Sequence, residues 1–275
     1  MLRLFHQRHT TKYIALRHFG SSIPSSNLSN TSLSSSSSEE DLIPPVYYFC
    51  GPTVYDSPHL GHLLTHVHLD YVVRHYTHLN PLTPPILAIG CTDVDDKIIS
   101  RSLSTGLHPS AITRRYEAEF YAALKSLNCI EPDYVLRVSE HIGEIISFVS
   151  ALVDAGAAYS VPGDGVYFST SHQDGNRHRY GLPYGTFFGR GLPTPGAGEG
   201  GFFDTGKRRE AKRDARDFAL WKNHGPEGEP LGHVYDSPWG YGRPGWHVEC
   251  STFIASLESE LSSLHGRPMR VSFHA

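Results

Sequence analysis

The sequence predicts an α/β protein: a doubly wound parallel sheet interrupted by an inserted α+β subdomain. Three observations lead there. Short apolar, aromatic-rich segments alternate with helical periodicities between residues 44 and 127, the order that builds parallel sheets. Loops rich in His, Gly, Pro and Asp directly follow the strand segments, where open α/β sheets bind ligands. A Gly-, Pro-, Arg- and Asp-rich stretch with little periodicity then precedes a second ordered segment. At 275 residues, 39% hydrophobic and 11% aromatic, the chain suits one large α/β unit carrying an insertion.

The elements follow in order. Residues 1–38 hold Arg3, Arg8, Lys12 and Arg17 and no acid, and 11 of the 18 residues from Ser21 to Ser38 are serine. Arg-rich, Ser-rich and acid-poor is the composition of an organelle transit peptide, so residues 1–40 are set apart from the fold. Residues 44–49 (PPVYYF) form a strand closed by Gly51-Pro52. From His59 to Tyr76 a helix presents Leu60, Leu64, Val67 and Tyr71 at helical spacing. Ile86–Ile89 is a second buried strand, and after Asp93 the chain turns into another helix. A further helix over Ile112–Leu127 places Tyr116, Phe120 and Leu124 on one face. Tyr134–Val138 is a strand, and Glu140–Ala155 an amphipathic helix with Ile142, Ile145, Ile146, Val149 and Leu152 inward. A hairpin follows around PGDG. From Ser237, SPWGYGRPGWHVECSTF leads into a helix to about Leu264. The predicted domains are therefore 41–130, an inserted subdomain 131–235, and 236–275.

Charge and cysteine content narrow the function. Beyond residue 38 the chain holds 20 basic and 28 acidic groups, a local −8, which gives no electrostatic hint of broad nucleic-acid binding. No run of 18 apolar residues occurs, so no membrane partner is expected. Cys50, Cys91, Cys129 and Cys250 are scattered, without a CxxC pair, and read as reduced thiols in an intracellular compartment.

The densest chemistry lies in CGPTVYDSPHLGH, residues 50–62, running from a strand end into a helix start. His59 and His62 there can donate to phosphate oxygens, and Gly61 lets a nucleotide approach the backbone. Taken singly, these histidines read as ordinary surface residues of a helix before phosphate contacts. His62 and His66 sit at i and i+4, but no HExxH glutamate accompanies them, and a metal pair is set aside.

This element resembles the HIGH motif of class I aminoacyl-tRNA synthetases in its cysteinyl-tRNA synthetase form. Further matches come in the family's order: CTDVDDKII, RVSEHIGEIISFVSALVDAGAAY, DGVYFST, KRDARDFALWK and SPWGYGRPGWHVECS, six elements over most of residues 46–252. The resemblance implies a Rossmann-like catalytic sheet with a connective insertion. It also implies a mitochondrial-type cysteine–tRNA ligase that activates cysteine with ATP and passes it to tRNA(Cys). Zn2+ is the implied cofactor, with Mg2+ arriving with ATP. Cys50 and Cys250 match the family's zinc thiolates. Gly51, Thr53, Thr92 and Trp246 match the cysteine pocket, with His247 beside Trp246, and His59, Gly61 and His62 match the ATP contacts, the two histidines also being catalytic. Zinc suits the task, because shape alone separates cysteine from serine or alanine by only about 1–3 kcal/mol, whereas a thiolate is a far softer metal ligand than an alcohol.

Other residues carry weaker signals. Asp93, Asp95 and Asp96 read as helix N-terminal acids before magnesium ligands. Cys91 is not taken as a third ligand, and Cys129 is structural. Lys207, Arg208, Arg209, Lys212 and Arg213 fit tRNA phosphates and a solvated loop equally well.

The family pattern continues beyond this chain into a HxGGxDLxFPHHxNE stretch with the remaining zinc ligands, then a KMSKS loop and an anticodon-binding region. FHA at 273–275 resembles the opening of HxGG, with His274 in the histidine position. The expectation is a chain truncated after the second thiolate motif, its sheet's second half incomplete and one edge open. It is expected in the mitochondrial matrix before plastid or cytoplasm, as a monomer. Two alternatives stand beside the ligase: an inactive fragment serving as a binding module, and an ATP-dependent cysteine:amino-sugar ligase.

Overall fold

Alternation along the first strand explains the layering. In β1 (Val46–Thr53) side chains point to opposite faces in turn, so Val46 and Tyr48 enter one core while Tyr47 and Phe49 enter another. The structure, a computed structural model, describes residues 43–170, 212–214, 216–224 and 233–275.

β1 is followed by α1 (Leu60–Leu79), β2 (Ile86–Thr92), α2 (Asp96–Thr105), α3 (Pro109–Ser126), β3 (Tyr134–Arg137) and, after a 3-10 turn, α4 (Ile142–Asp154). β4 (Ala158–Val161) and β5 (Gly165–Phe168) form the hairpin, with β6 (Phe218–Asn223) and β7 (Gly242–Pro244) beyond it. α5 (Trp246–His265) and β8 (Val271–His274) close the order. One sheet is parallel, in the order β3-β2-β1-β8; the other is antiparallel, β4-β5-β6-β7.

Both faces of the parallel sheet are covered. Leu69 and Val73 of α1 pack on Tyr47, Phe49, Leu87 and Ile89, and Ile112 and Tyr116 of α3 pack on Val54 and Cys91. On the opposite face Val248, Phe253, Leu257 and Leu261 of α5 join Ile145 and Val149 of α4 over Val46, Tyr48 and Ala88. That core continues through Val166, Leu220 and Trp221 of the antiparallel sheet, so the two sheets share one interior. The predicted α/β fold with a parallel, helix-flanked sheet is the observed one.

Three details differ from the sequence reading. Tyr134–Arg137, assigned to the insertion, is an edge strand of the parallel sheet, its backbone pairing with Ala88–Cys91. The helix face of α1 that turns inward carries His66, Leu69 and Val73, not the expected Leu60, Leu64, Val67 and Tyr71, which are exposed. His66 can be buried because its Nδ1 bonds the His62 carbonyl at 2.9 Å and its ring meets Phe120 edge-on. β1 also runs past Phe49, since Cys50 N–H donates to the Ala275 carbonyl at 2.7 Å and Thr53 pairs with Thr92. The proposed transit segment 1–40 and the whole of 171–211, with the Lys207–Arg209 run in it, lie outside the described residues. Among the described residues no helix is long and apolar enough to cross a membrane.

Candidate functional site

The site forms where β1 breaks its register. Cys50 pairs with Gly90 and Thr53 with Thr92, so β1 carries one extra residue around Gly51-Pro52, a bulge that re-aims the strand end. Gly51 is required by space: a Cβ there would lie 1.9 Å from the Gly90 carbonyl oxygen. Gly245 N–H bonds the Leu220 carbonyl at 2.9 Å, which seats the start of α5 against β6 and brings Cys250 over the sheet.

These placements bring Cys50 and Cys250 together from 200 residues apart, with sulfurs 3.4 Å from each other. His274, at the end of β8, adds Nε2 at 3.4 Å from the Cys50 sulfur. All three ligand atoms lie within 4.8 Å of one another. Cys250 is the thiol that ionises first. A hydrogen bond from the Cys50 thiol is the main cause; burial opposes it, Tyr48 and His274 add to it, and its pKa falls to about 6. The same bond, with burial, pushes the Cys50 thiol up. Two soft sulfurs and an imidazole nitrogen converging at a strand end form a donor set suited to zinc.

Next to the thiols stands a residue the sequence reading missed. Glu249, 3% exposed, accepts a hydrogen bond from Thr92 Oγ1 across the gap between α5 and the end of β2. Burial holds its carboxyl well above the usual range, the Thr92 bond offsetting only part of that. Trp246 opens α5 and is 55% exposed, its ring beside His247. Thr53 ends β1 opposite Thr92.

His59 and His62 form a second group at the start of α1. His59 caps the helix, its Nδ1 accepting from Gly61 N–H at 3.1 Å and His62 N–H at 3.4 Å. His62 Nδ1 accepts in return from His59 N–H at 3.5 Å, and the rings stack 3.8 Å apart. With both Nδ1 atoms accepting, the neutral tautomers carry their protons on Nε2. Burial and the neighbouring His59, His66 and Lys97 keep the His62 pKa low. Two Nε2–H donors beside a helix N-terminus make an anion site. Gly61 keeps that entrance open, as a Cβ would meet the His59 ring at 3.0 Å.

The remaining candidates are engaged elsewhere. Asp93 accepts from the Ser139 amide at 2.9 Å and from its hydroxyl. Asp95 caps α2 through Lys97 N–H at 2.8 Å. Asp96 accepts from Arg243 Nε at 2.6 Å and Lys222 Nζ at 3.2 Å. Cys91 is buried with Val54, Ile112 and Tyr116, away from the other thiols, and burial raises its pKa. Cys129, half-buried after α3, joins no thiol cluster among the described residues. Arg213 lies over the Tyr159 ring at 4.1 Å and Lys212 over Tyr167 at 5.8 Å, so both lean on the antiparallel sheet.

Comparison with known proteins bears on this arrangement. The sequence model of the tRNA synthetases class I (C) catalytic domain matches residues 39–274. A chloroplastic/mitochondrial cysteine–tRNA ligase of Arabidopsis thaliana is 39% identical over 227 residues, 82% of this chain and 37% of that protein. Cysteine–tRNA ligases of an Anaeromyxobacter species and of Thermococcus gammatolerans are 41% and 38% identical, each over 80% of this chain and 42% of their own length. The chain thus spans well under half the length of these relatives.

Proposed function

The chain belongs to the class I (C) tRNA synthetase catalytic-domain family, and on that premise we propose that it supplies the cysteine-activating portion of a cysteine–tRNA ligase. The observation that carries the reading is the convergence of Cys50, Cys250 and His274 at the end of β1, directly beside Gly51 and the Thr92–Glu249 pair.

In this reading Cys50 and Cys250 hold Zn2+, with His274 within reach as a third donor. Zinc there would supply a soft Lewis acid to which a substrate thiolate, but no hydroxyl or methyl group, binds strongly. Gly51, Thr53, Thr92 and Trp246 line the cysteine pocket. His59 and His62 direct their Nε2–H groups at the phosphates of ATP, whose Mg2+ arrives with the nucleotide, and Gly61 admits it. The cysteine carboxylate attacks the α-phosphorus, pyrophosphate leaves, and the two histidines offset the charge that builds on the departing oxygens. No protein nucleophile is needed: the residues position and neutralise. The 3′-terminal hydroxyl of tRNA(Cys) then takes the cysteinyl group and releases AMP.

We place the protein in an organelle, the mitochondrial matrix by our reading of residues 1–40, and take it to act as a monomer. Residues 131–235, apart from the edge strand Tyr134–Arg137, serve as the connective insertion between the catalytic segments 41–130 and 236–275. The supports are the basic, serine-rich N-terminal composition and the similarity to the Arabidopsis relative.

Cysteine-dependent ATP–pyrophosphate exchange on the purified chain, with bound zinc quantified in the same sample, tests the reading. Exchange with cysteine and none with serine, together with stoichiometric zinc, is the expected result. Folded protein without zinc and without exchange overturns it.

A further inference from the structure

Tyr48 is among the largest fully buried side chains of the protein, 1% exposed, yet it carries a hydroxyl. Buried hydroxyls need partners, and the Cys250 thiol is among the polar groups beside this one. Strand alternation puts Tyr48 on the same face of β1 as Cys50, two residues on, so one strand presents both groups to α5. Space for the phenol is made on the neighbouring strand: a Cβ at Gly90 would fall 2.2 Å from the Tyr48 hydroxyl oxygen. The His274 ring packs edge-on against Tyr48 at 5.2 Å, so the third donor of the cluster rests on the same phenol.

We propose that Tyr48 is a positioning residue for the two-thiol site, its hydroxyl donating to the Cys250 sulfur and its ring seating His274. Groups that hydrogen-bond a metal-bound ligand fix its orientation and tune its donor strength, and their loss typically costs about 10–100-fold in metal affinity. Tyr48 reaches the substrate only through Cys250 and His274, so its effect is on the geometry and softness of the donor set. Gly90 is the second half of the device, since any larger residue there displaces the phenol from the sulfur. The inference rests on the zinc reading of the site, and the test separates the two.

The test titrates the metal-free full chain with Co2+, following the thiolate-to-cobalt absorption, and compares wild type with Tyr48→Phe and Gly90→Ala. Tyr48→Phe keeps the ring and its packing on His274 and removes only the donor. The expected result is a fall of about tenfold or more in Co2+ affinity and a shifted thiolate-to-cobalt band, with far-ultraviolet circular dichroism unchanged. Gly90→Ala, which pushes the phenol aside with the hydroxyl still present, is expected to give a comparable loss. Wild-type affinity and band position in Tyr48→Phe overturn the inference and leave the zinc reading standing. If Tyr48→Phe does not fold, the same wild-type behaviour in Gly90→Ala overturns it. Absence of any thiolate-to-cobalt band in the folded wild-type chain overturns the zinc reading itself, and this inference with it.

Discussion

Asp96→Asn is the change that most directly tests how the two sheets are held together. Asp96 opens α2, just past the end of β2, and its carboxylate meets Arg243 of β7 and Lys222 of β6. Those two residues face each other across the β6–β7 ladder. The side chains are 10%, 4% and 18% exposed, so little water screens the charges. Asparagine has nearly the same shape and can still accept one bond from Arg243, yet it removes the negative charge that both cations meet. Removing one partner of a buried ion pair costs about 3–5 kcal/mol, and we expect the lower end, about 3 kcal/mol, because Lys222 can lean toward solvent. For a protein of this size each kcal/mol moves the unfolding midpoint by about 2–4 °C, so the expected fall is about 6–12 °C.

The assay is urea and thermal unfolding followed by circular dichroism and by the fluorescence of Trp221 and Trp239, which pack 6.1 Å apart in the shared core. Lys125→Ala is the control: its pair with Glu131 spans 3.8 Å between side chains 79% and 65% exposed, and its loss should not be measurable. The effect also carries a pH signature. Burial alone would raise the Asp96 pKa, but Arg243 and Lys222 outweigh it and hold the carboxyl below the ordinary value. A group whose folded pKa is depressed contributes stability above its unfolded pKa, about 3.9 for aspartate, and loses it as pH falls through the folded value. The gap between wild type and Asp96→Asn should therefore be full at neutral pH and close progressively below about pH 4. An Asp96→Asn chain within about 0.5 kcal/mol of wild type at neutral pH, the behaviour of an ordinary surface change, would refute the reasoning.

Two other substitutions follow from the same geometry. Gly51→Ala places a methyl 1.9 Å from the Gly90 carbonyl and should abolish soluble expression or sharply lower the unfolding temperature; Gly143→Ala, in α4 with nothing within 4 Å, should leave stability unchanged or raise it by up to about 1 kcal/mol. Cys250→Ser should reduce zinc in the purified chain from stoichiometric to trace, measured by plasma emission, whereas Cys129→Ser should leave it unchanged; equal zinc in both variants would remove Cys250 from the donor set.

The fold was legible wherever burial and period coincide. Tyr116, Phe120 and Leu124 of α3 and Ile145 and Val149 of α4 sit inward as their spacing predicts. Along α1 two stripes compete, and the one chosen from apolarity alone, Leu60 to Tyr71, is the exposed one. The buried stripe begins with a histidine, whose burial depends on a bond to a carbonyl one turn back and on a ring from another helix. β3 was misassigned for a related reason: nothing within Tyr134–Arg137 says which sheet supplies its partner, and that information lies in the register with Ala88–Cys91. At the site, the residue types in CGPTVYDSPHLGH and WHVECS pointed to chemistry, and Cys50 and Cys250 do meet. Glu249 and Tyr48 gave no signal of their own, because a buried acid and a buried phenol become visible only when Thr92 and Cys250 stand beside them. His274 is intermediate, carrying a three-residue resemblance that acquires weight from its 3.4 Å approach to Cys50.

The cluster depends on register more than on any single contact. Its members come from β1, α5 and β8, three segments spread over 225 residues of sequence. Tyr47 and Phe49 anchor β1 to the α1 side, and Val46 and Tyr48 anchor it to the α5 side. A slip of one residue would exchange the two sets, turning both Tyr48 and Cys50 away from Cys250. The four aromatic and aliphatic side chains before Cys50 therefore do two things at once: they build two cores, and by alternation they select the face on which the sulfur emerges. The bulge at Gly51-Pro52 comes only after Cys50 is placed, so the strand can bend toward the histidines of α1 without disturbing the thiol. Pro52 suits that position, because the residue has no N–H to leave unpaired where the ladder is interrupted.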